Sequence, residues 1–209
     1  MHRKGNRSGE ADFLFETEFE LYIKKLLEDR GYSVFHSVYL EVDDEVTQID
    51  LVAVKGYQVF SFECKSHYGS DWELHTKANW KYTDTNNIRR EIHNPCSQNA
   101  FHNKAICQLC ESLDSEMRKK YNIPIAHYKS VIVCKAPIPS KDMNIFNAVN
   151  YMKLDEFLNQ YQHSKGEEID NYFHSLIFPI LERCSDSSDE ALRKHIEYLK
   201  RKGLWKDLI

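Results

Sequence analysis

The chain has 209 residues, enough for one sizeable core, and its 42% hydrophobic and 29% charged content with seven Gly and five Pro speaks against a wholly disordered protein. A net charge of −4 excludes a general polycation that coats nucleic acid, but a local basic groove is compatible with it. Six scattered Cys, no apolar N-terminal segment and no apolar run longer than "SLIFPIL" (175–181) give a cytoplasmic expectation with no membrane partner.

The opening "MHRKGNRSGE" (1–10) reads as a polar tail. From Ala11 to Arg30, Phe15, Phe19, Tyr22, Ile23, Leu26 and Leu27 recur at helical spacing, and Gly31 stands where a C-cap glycine belongs. "YSVFHSVYL" (32–40) is a strand, and "EVDDEV" a turn. "TQIDLVAV" and "VFSFECKS" then form two strands joined at Lys55-Gly56, an antiparallel pair. Residues 69–95, polar and rich in Asn with Trp72 and Trp80 among them, read mostly as loop. Helical spacing returns through Ala100, Phe101, Ala105, Ile106, Leu109 and Leu113. "HYKSVIVCKA" (127–136) is a further strand closed by the prolines at 137 and 139. "NYMKLDEFLNQY" suggests a short strand leading into a helix, and 167–209 reads as helical. The expectation is therefore an α/β domain, a mixed central sheet flanked by helices over 11–155, with a helical C-terminal extension over 156–209.

Chemistry concentrates in the central pair. Side chains two apart on a strand share a face, so Glu63 and Lys65 point one way and Phe62 and Cys64 the other. An antiparallel pairing brings Asp50 to the Glu63 end of the hairpin, thirteen residues later in the chain. Two carboxylates side by side in apolar surroundings are costly unless a cation joins them. Carboxylate oxygens with a backbone carbonyl are hard ligands suited to magnesium or manganese. An ammonium beside them can assist a water or neutralise charge developing on a phosphoryl group. A lone Glu-x-Lys in a strand is more often an exposed ion pair; here the apolar flanks and the upstream acid favour a site.

The blocks "TQIDLVAV" (47–54), "VFSFECKSHYG" (59–69), Trp80 and "NPCSQNAFHNKAI" (94–106) resemble the nuclease-related domain, a branch of the PD-(D/E)xK nucleases, over roughly residues 15–135. The resemblance implies a restriction-endonuclease-like core and a divalent metal, Mg2+ or Mn2+, at one sheet edge. Its metal ligands would be Asp50, Glu63 and the Cys64 carbonyl, with a first-helix acid, Glu18 before Glu20, ligating or orienting the metal. Lys65 would be the catalytic lysine, and Gln98 would place substrate or lysine. The chain departs from the pattern at Ile49, where the superfamily has Pro, at Ser66, where Asn is usual, and at Thr17, where Gly opens the helix acid. The implied activity is phosphodiester hydrolysis in DNA, with RNA left open. The alternative is a catalytically silent nucleic-acid- or partner-binding module on the same fold.

Arg89 and Arg90, with Asn94 at the end of their segment, are the candidate nucleic-acid contacts; they could equally be solvated. Double-strand cutting would need two sites, so a homodimer is one open arrangement. His93, Cys96, His102, Cys107 and Cys110 raise a zinc reading, but Cys107 and Cys110 flank the apolar helix stripe, where cysteine is usually a small core residue. Trp72 and Trp80 suit either base stacking or packing of their segment against the sheet.

Overall fold

A computed structural model describes residues 7–123, 127–136, 145–161, 164–185 and 197, with side chains from Glu18 onward. Helix α1 (Arg7–Glu28) is followed by three antiparallel strands, β1 (Ser33–Val42), β2 (Glu45–Lys55) and β3 (Gln58–Lys65). Helix α1 ends on Gly31 at φ 77°, with Tyr32 N–H returning to the Leu27 carbonyl, the left-handed cap that Gly adopts without a Cβ penalty. Asp43 and Asp44, both at positive φ, make the tight turn into β2, so the turn is shorter than its polar sequence suggests.

Residues 69–95 correct the loop expectation. They hold a separate antiparallel sheet of three four-residue strands, β4 (Ser70–Glu73), β5 (Trp80–Thr83) and β6 (Arg89–Ile92). Trp80 is fully buried and its indole N–H donates to the His75 carbonyl, while Trp72 stacks on Tyr82 at 4.6 Å. Both tryptophans therefore pack this sheet. A Cβ on Gly69 would lie 2.1 Å from the Thr83 carbonyl oxygen, so only glycine lets β4 approach β5 this closely.

Helix α2 (Pro95–Tyr121) then crosses over to β7 (His127–Cys134), which pairs parallel with β3, and β8 (Ala148–Asn150) pairs parallel with β7. The main sheet runs β1-β2-β3-β7-β8, the mixed sheet flanked by helices of an α/β fold. A 3₁₀ turn leads from β8 into the short helix α3 (Leu154–Leu158), and α4 (Glu167–Ser185) follows. The prolines at 137 and 139 and the charged segment 189–202, apart from residue 197, lie outside the described residues.

The sheet is apolar on both faces, as a central sheet under two helical layers must be. On one face Val52, Val54 and Val59 meet Ile106 and Met117 of α2 and Phe173, Ile177 and Leu181 of α4. On the other, Leu51, Phe60 and Phe62 meet Phe19, Ile23 and Leu27 of α1 and Leu154 of α3. Helix α4 thus completes a core layer: Phe173, Ile177 and Leu181 are fully buried beneath it.

Candidate active site at the open end of the hairpin

The strand alternation slips beside Asp50. In β1, Phe35 packs against the same face as Val38, Leu40 and Val42, although 35 and 38 differ by an odd number. In β2, Ile49 and Val52 share that face in the same way. The slip is located at Ser37, which adopts φ 52°, a left-handed value uncommon for a side chain with a Cβ. The β1–β2 ladder registers His36 with Leu51 and Val38 with Ile49, leaving Ser37 and Asp50 as the interrupted step. On the other side of β2, the last registered pair is Leu51 with Phe62, and one further step sets Asp50 opposite Glu63. Asp50 bridges this gap with its side chain: the Cys64 backbone N–H donates to its Oδ2 at 2.7 Å.

Glu63 is 2% exposed, with its Oε1 at 2.5 Å from the Lys65 Nζ. Its Oε2 stands 3.4 Å from Nδ1 of His102, a residue 3% exposed on α2. At that length the histidine contact is longer than a well-formed hydrogen bond. Burial raises the Asp50 carboxyl well above the usual range, and the charges of Glu63 and Glu20 push it further. Lys65 and the Cys64 amide act in the opposite direction without offsetting the burial. The Cys64 thiol is itself raised, first by burial and then by Asp50, Glu20 and Glu63, so it is no thiolate ligand. The Cys64 backbone meets this chemistry through its N–H.

The two candidate first-helix acids are placed differently. Glu18 is exposed and lines a cavity of about 400 Å³ with Phe19, Tyr22, Lys135 and Tyr151. The acid whose charge reaches Asp50 is Glu20, whose Oε2 lies 2.9 Å from Nε2 of His36 on β1. Helical geometry explains the choice. Glu20 stands three and seven residues before the buried Ile23 and Leu27, on their face of α1, whereas Glu18 is about 200° around the helix from it.

Helix α2 forms the other wall. Asn94 is its N-cap, its side chain accepting from the Cys96 N–H at 2.9 Å, and its own N–H donates to Asn79 of the preceding segment. Asn94 is thus buried structure at the helix start. Gln98 and His102 lie one turn apart on α2. Among the described residues, the Gln98 Oε1, Asn99 Oδ1 and Asn94 Nδ2 are buried without a protein partner, an unusual concentration at the start of one helix. Arg89 is exposed and ion-paired with Glu73, while its guanidinium also donates to the Asp71 carbonyl. Arg90 is exposed and paired with Asp84 at 2.9 Å. Both arginines are committed to carboxylates of their own sheet.

Of the zinc candidates, Cys110 sits in the core, its thiol pushed up to about 12 by burial, and Cys107 accepts from the Tyr128 hydroxyl at 2.9 Å. His93 is exposed, and Cys96 packs beside Trp80 in the smaller core. Among the described residues, no three His, Cys, Asp or Glu side chains gather as metal ligands. Asp50 and Glu63 remain as two adjoining carboxylates. Two carboxylates completed by water fit magnesium, which keeps much of its hydration, better than a metal demanding an all-protein cage.

A family model described as the nuclease-related domain matches residues 11–134, more than half of the chain, from within α1 to the end of β7. The chain belongs to the nuclease-related domain family. That family falls within the PD-(D/E)xK-like nuclease group, and the mixed sheet agrees with its core. No curated protein and no solved structure matches the chain. Among the described residues, no helix of this nuclease-related domain is long and apolar enough to cross a membrane.

Two residues of the site, His102 and Glu20, carried signals that strand spacing does not read. His102 follows Gln98 by one helical turn, inside the most distinctive block of the sequence. Glu20 precedes the apolar stripe by a helical interval.

Proposed function

We propose that this nuclease-related domain hydrolyses phosphodiester bonds in DNA with the help of a divalent metal, Mg2+ or Mn2+. The observation that carries the reading is the juxtaposition of Asp50, raised by burial and by its acidic neighbours, with Glu63 and Lys65 at one end of the hairpin. Bound there, the metal would supply positive charge and a water made acidic enough to attack phosphorus. Asp50 and Glu63 would hold it. Lys65, 2.5 Å from Glu63 and half-buried, is placed to neutralise charge developing on the phosphoryl oxygens or to assist the water. Gln98, with a buried acceptor awaiting a donor, would place substrate or lysine from α2.

The test is to incubate the purified chain with plasmid, linear and single-stranded DNA, and with RNA, in magnesium, manganese, calcium or chelator. Cleavage is expected in magnesium and manganese and little in calcium, whose larger, looser shell presents water poorly for in-line attack. Cleavage that persists unchanged in chelator overturns the metal mechanism. Binding of nucleic acid without turnover in any ion would make the domain a binding module instead.

A further inference from the structure

The two oxygens of Glu63 have different partners. Oε1 is held by Lys65, two residues along the same strand, and Oε2 lies 3.4 Å from Nδ1 of His102, on the helix across the face. The terminal torsion of a glutamate is broad and roughly two-fold, so a single contact at one oxygen leaves the carboxylate plane poorly defined. A second contact from a different element defines it. On the proposed function Lys65 would also serve the phosphoryl charge during turnover, and its hold on Oε1 would then weaken. His102, 3% exposed and fixed on a 27-residue helix, has no such freedom.

We propose that His102 is a positioning residue for metal binding: it sets the orientation of the Glu63 carboxylate against the α2 wall while Lys65 serves the reaction. Each carboxylate oxygen has two lone pairs, so a contact to His102 leaves Glu63 able to ligate. Residues that orient a ligand in this way typically contribute 10- to 100-fold in metal affinity or activity. The proposal rests on the reading of Asp50 and Glu63 as metal ligands.

The experiment is calorimetric titration of Mn2+ alone into the full chain and into His102→Phe, which fills the space without a polar atom, and His102→Gln, which keeps one. The expected result is Mn2+ affinity weakened by about 10-fold or more in His102→Phe, with His102→Gln recovering most of it. Single-turnover cleavage by His102→Phe should return to within a few-fold of wild type once Mn2+ saturates. Wild-type affinity in a folded His102→Phe would show that the ring only fills space, and would overturn the proposal. Nitrogen-15 NMR of the wild-type imidazoles needs no variant to fold. The His102 ring signals should move on Mg2+ saturation, and signals that stay fixed in a chain that binds Mg2+ would also overturn it. A wild-type chain that binds neither ion refutes the metal-ligand reading itself, a result separate from either of these.

Discussion

The two ends of the β2–β3 hairpin handle charge in opposite ways. At the turn, Lys55 donates to the Arg30 carbonyl at 2.6 Å and stands 5.2 Å from the centre of the Tyr32 ring, while Arg30 grips both oxygens of Asp155. Each charge there has an opposite charge or a dipole beside it, and solvent reaches the groups. At the open end, Asp50 and Glu63 adjoin within the sheet, Glu20 adds a third negative charge, and burial raises Asp50. The same hairpin therefore closes one end with satisfied pairs and keeps the other short of positive charge. A fold that needed only stability would have no reason for the second arrangement.

The largest expected effect is that of Asp50→Asn. Cleavage should fall by roughly 1,000-fold or more, the scale of removing one member of a concerted catalytic set, while in chelator the variant should be more stable than wild type by roughly 1 kcal/mol. The sign follows from the raised carboxyl. A folded state that holds its proton more tightly than the unfolded chain is most favoured below the unfolded aspartate pKa, about 3.9. It loses that stability as pH rises through the higher folded value. Thermal melts in chelator across that window should show wild type falling away from Asp50→Asn as pH increases, and magnesium should reverse their order. A variant that melts lower throughout would assign Asp50 to structure, as the acceptor of the Cys64 amide.

Next is Lys65→Ala, expected to lower turnover by about 100-fold, the scale of removing one interaction made in the transition state. Metal affinity measured on the same preparation should change little if, as proposed, His102 orients Glu63. Unchanged turnover would move Lys65 into the same structural role as Lys55.

Smaller again is the paired change Arg89→Ala with Arg90→Ala. These guanidiniums already hold Glu73 and Asp84, so nucleic-acid affinity should fall less than about tenfold, and removing an arginine that does meet a phosphate should reduce the salt slope by about 1. A steeper fall would mean that substrate displaces Glu73 and Asp84. The smallest effect belongs to the satisfied end. Arg30→Ala removes a solvent-reached ion pair and should cost about 1 kcal/mol or less in denaturant melts, with cleavage unchanged. A loss of activity there would join the two ends and end the contrast.

The main sheet was readable because its strands are apolar on both faces, which leaves few alternatives for "IDLVAV" or "VFSFEC". The second sheet was not, since its strands are four residues long, carry charges at Arg89, Arg90 and Glu91, and depend on a buried Trp80 and on Gly69. The segment that forms α4 was legible as helical. That Phe173, Ile177 and Leu181 complete the central core rather than an added layer depends on partners more than 100 positions earlier.

Residue type and spacing were sufficient to set Glu63 and Lys65 on one strand face and to select Asp50 as their neighbour, because a period of two needs only the local backbone. Choosing Glu20 over Glu18 required knowing which face of α1 meets the sheet. Placing His102 at Glu63 required the crossover of α2, which joins residues 39 positions apart. The slip of alternation at Ser37 and Asp50 lay beyond any local rule. It arises where β1 and β2 must satisfy cores on both faces at once, and it directs the Asp50 carboxylate to the Cys64 amide.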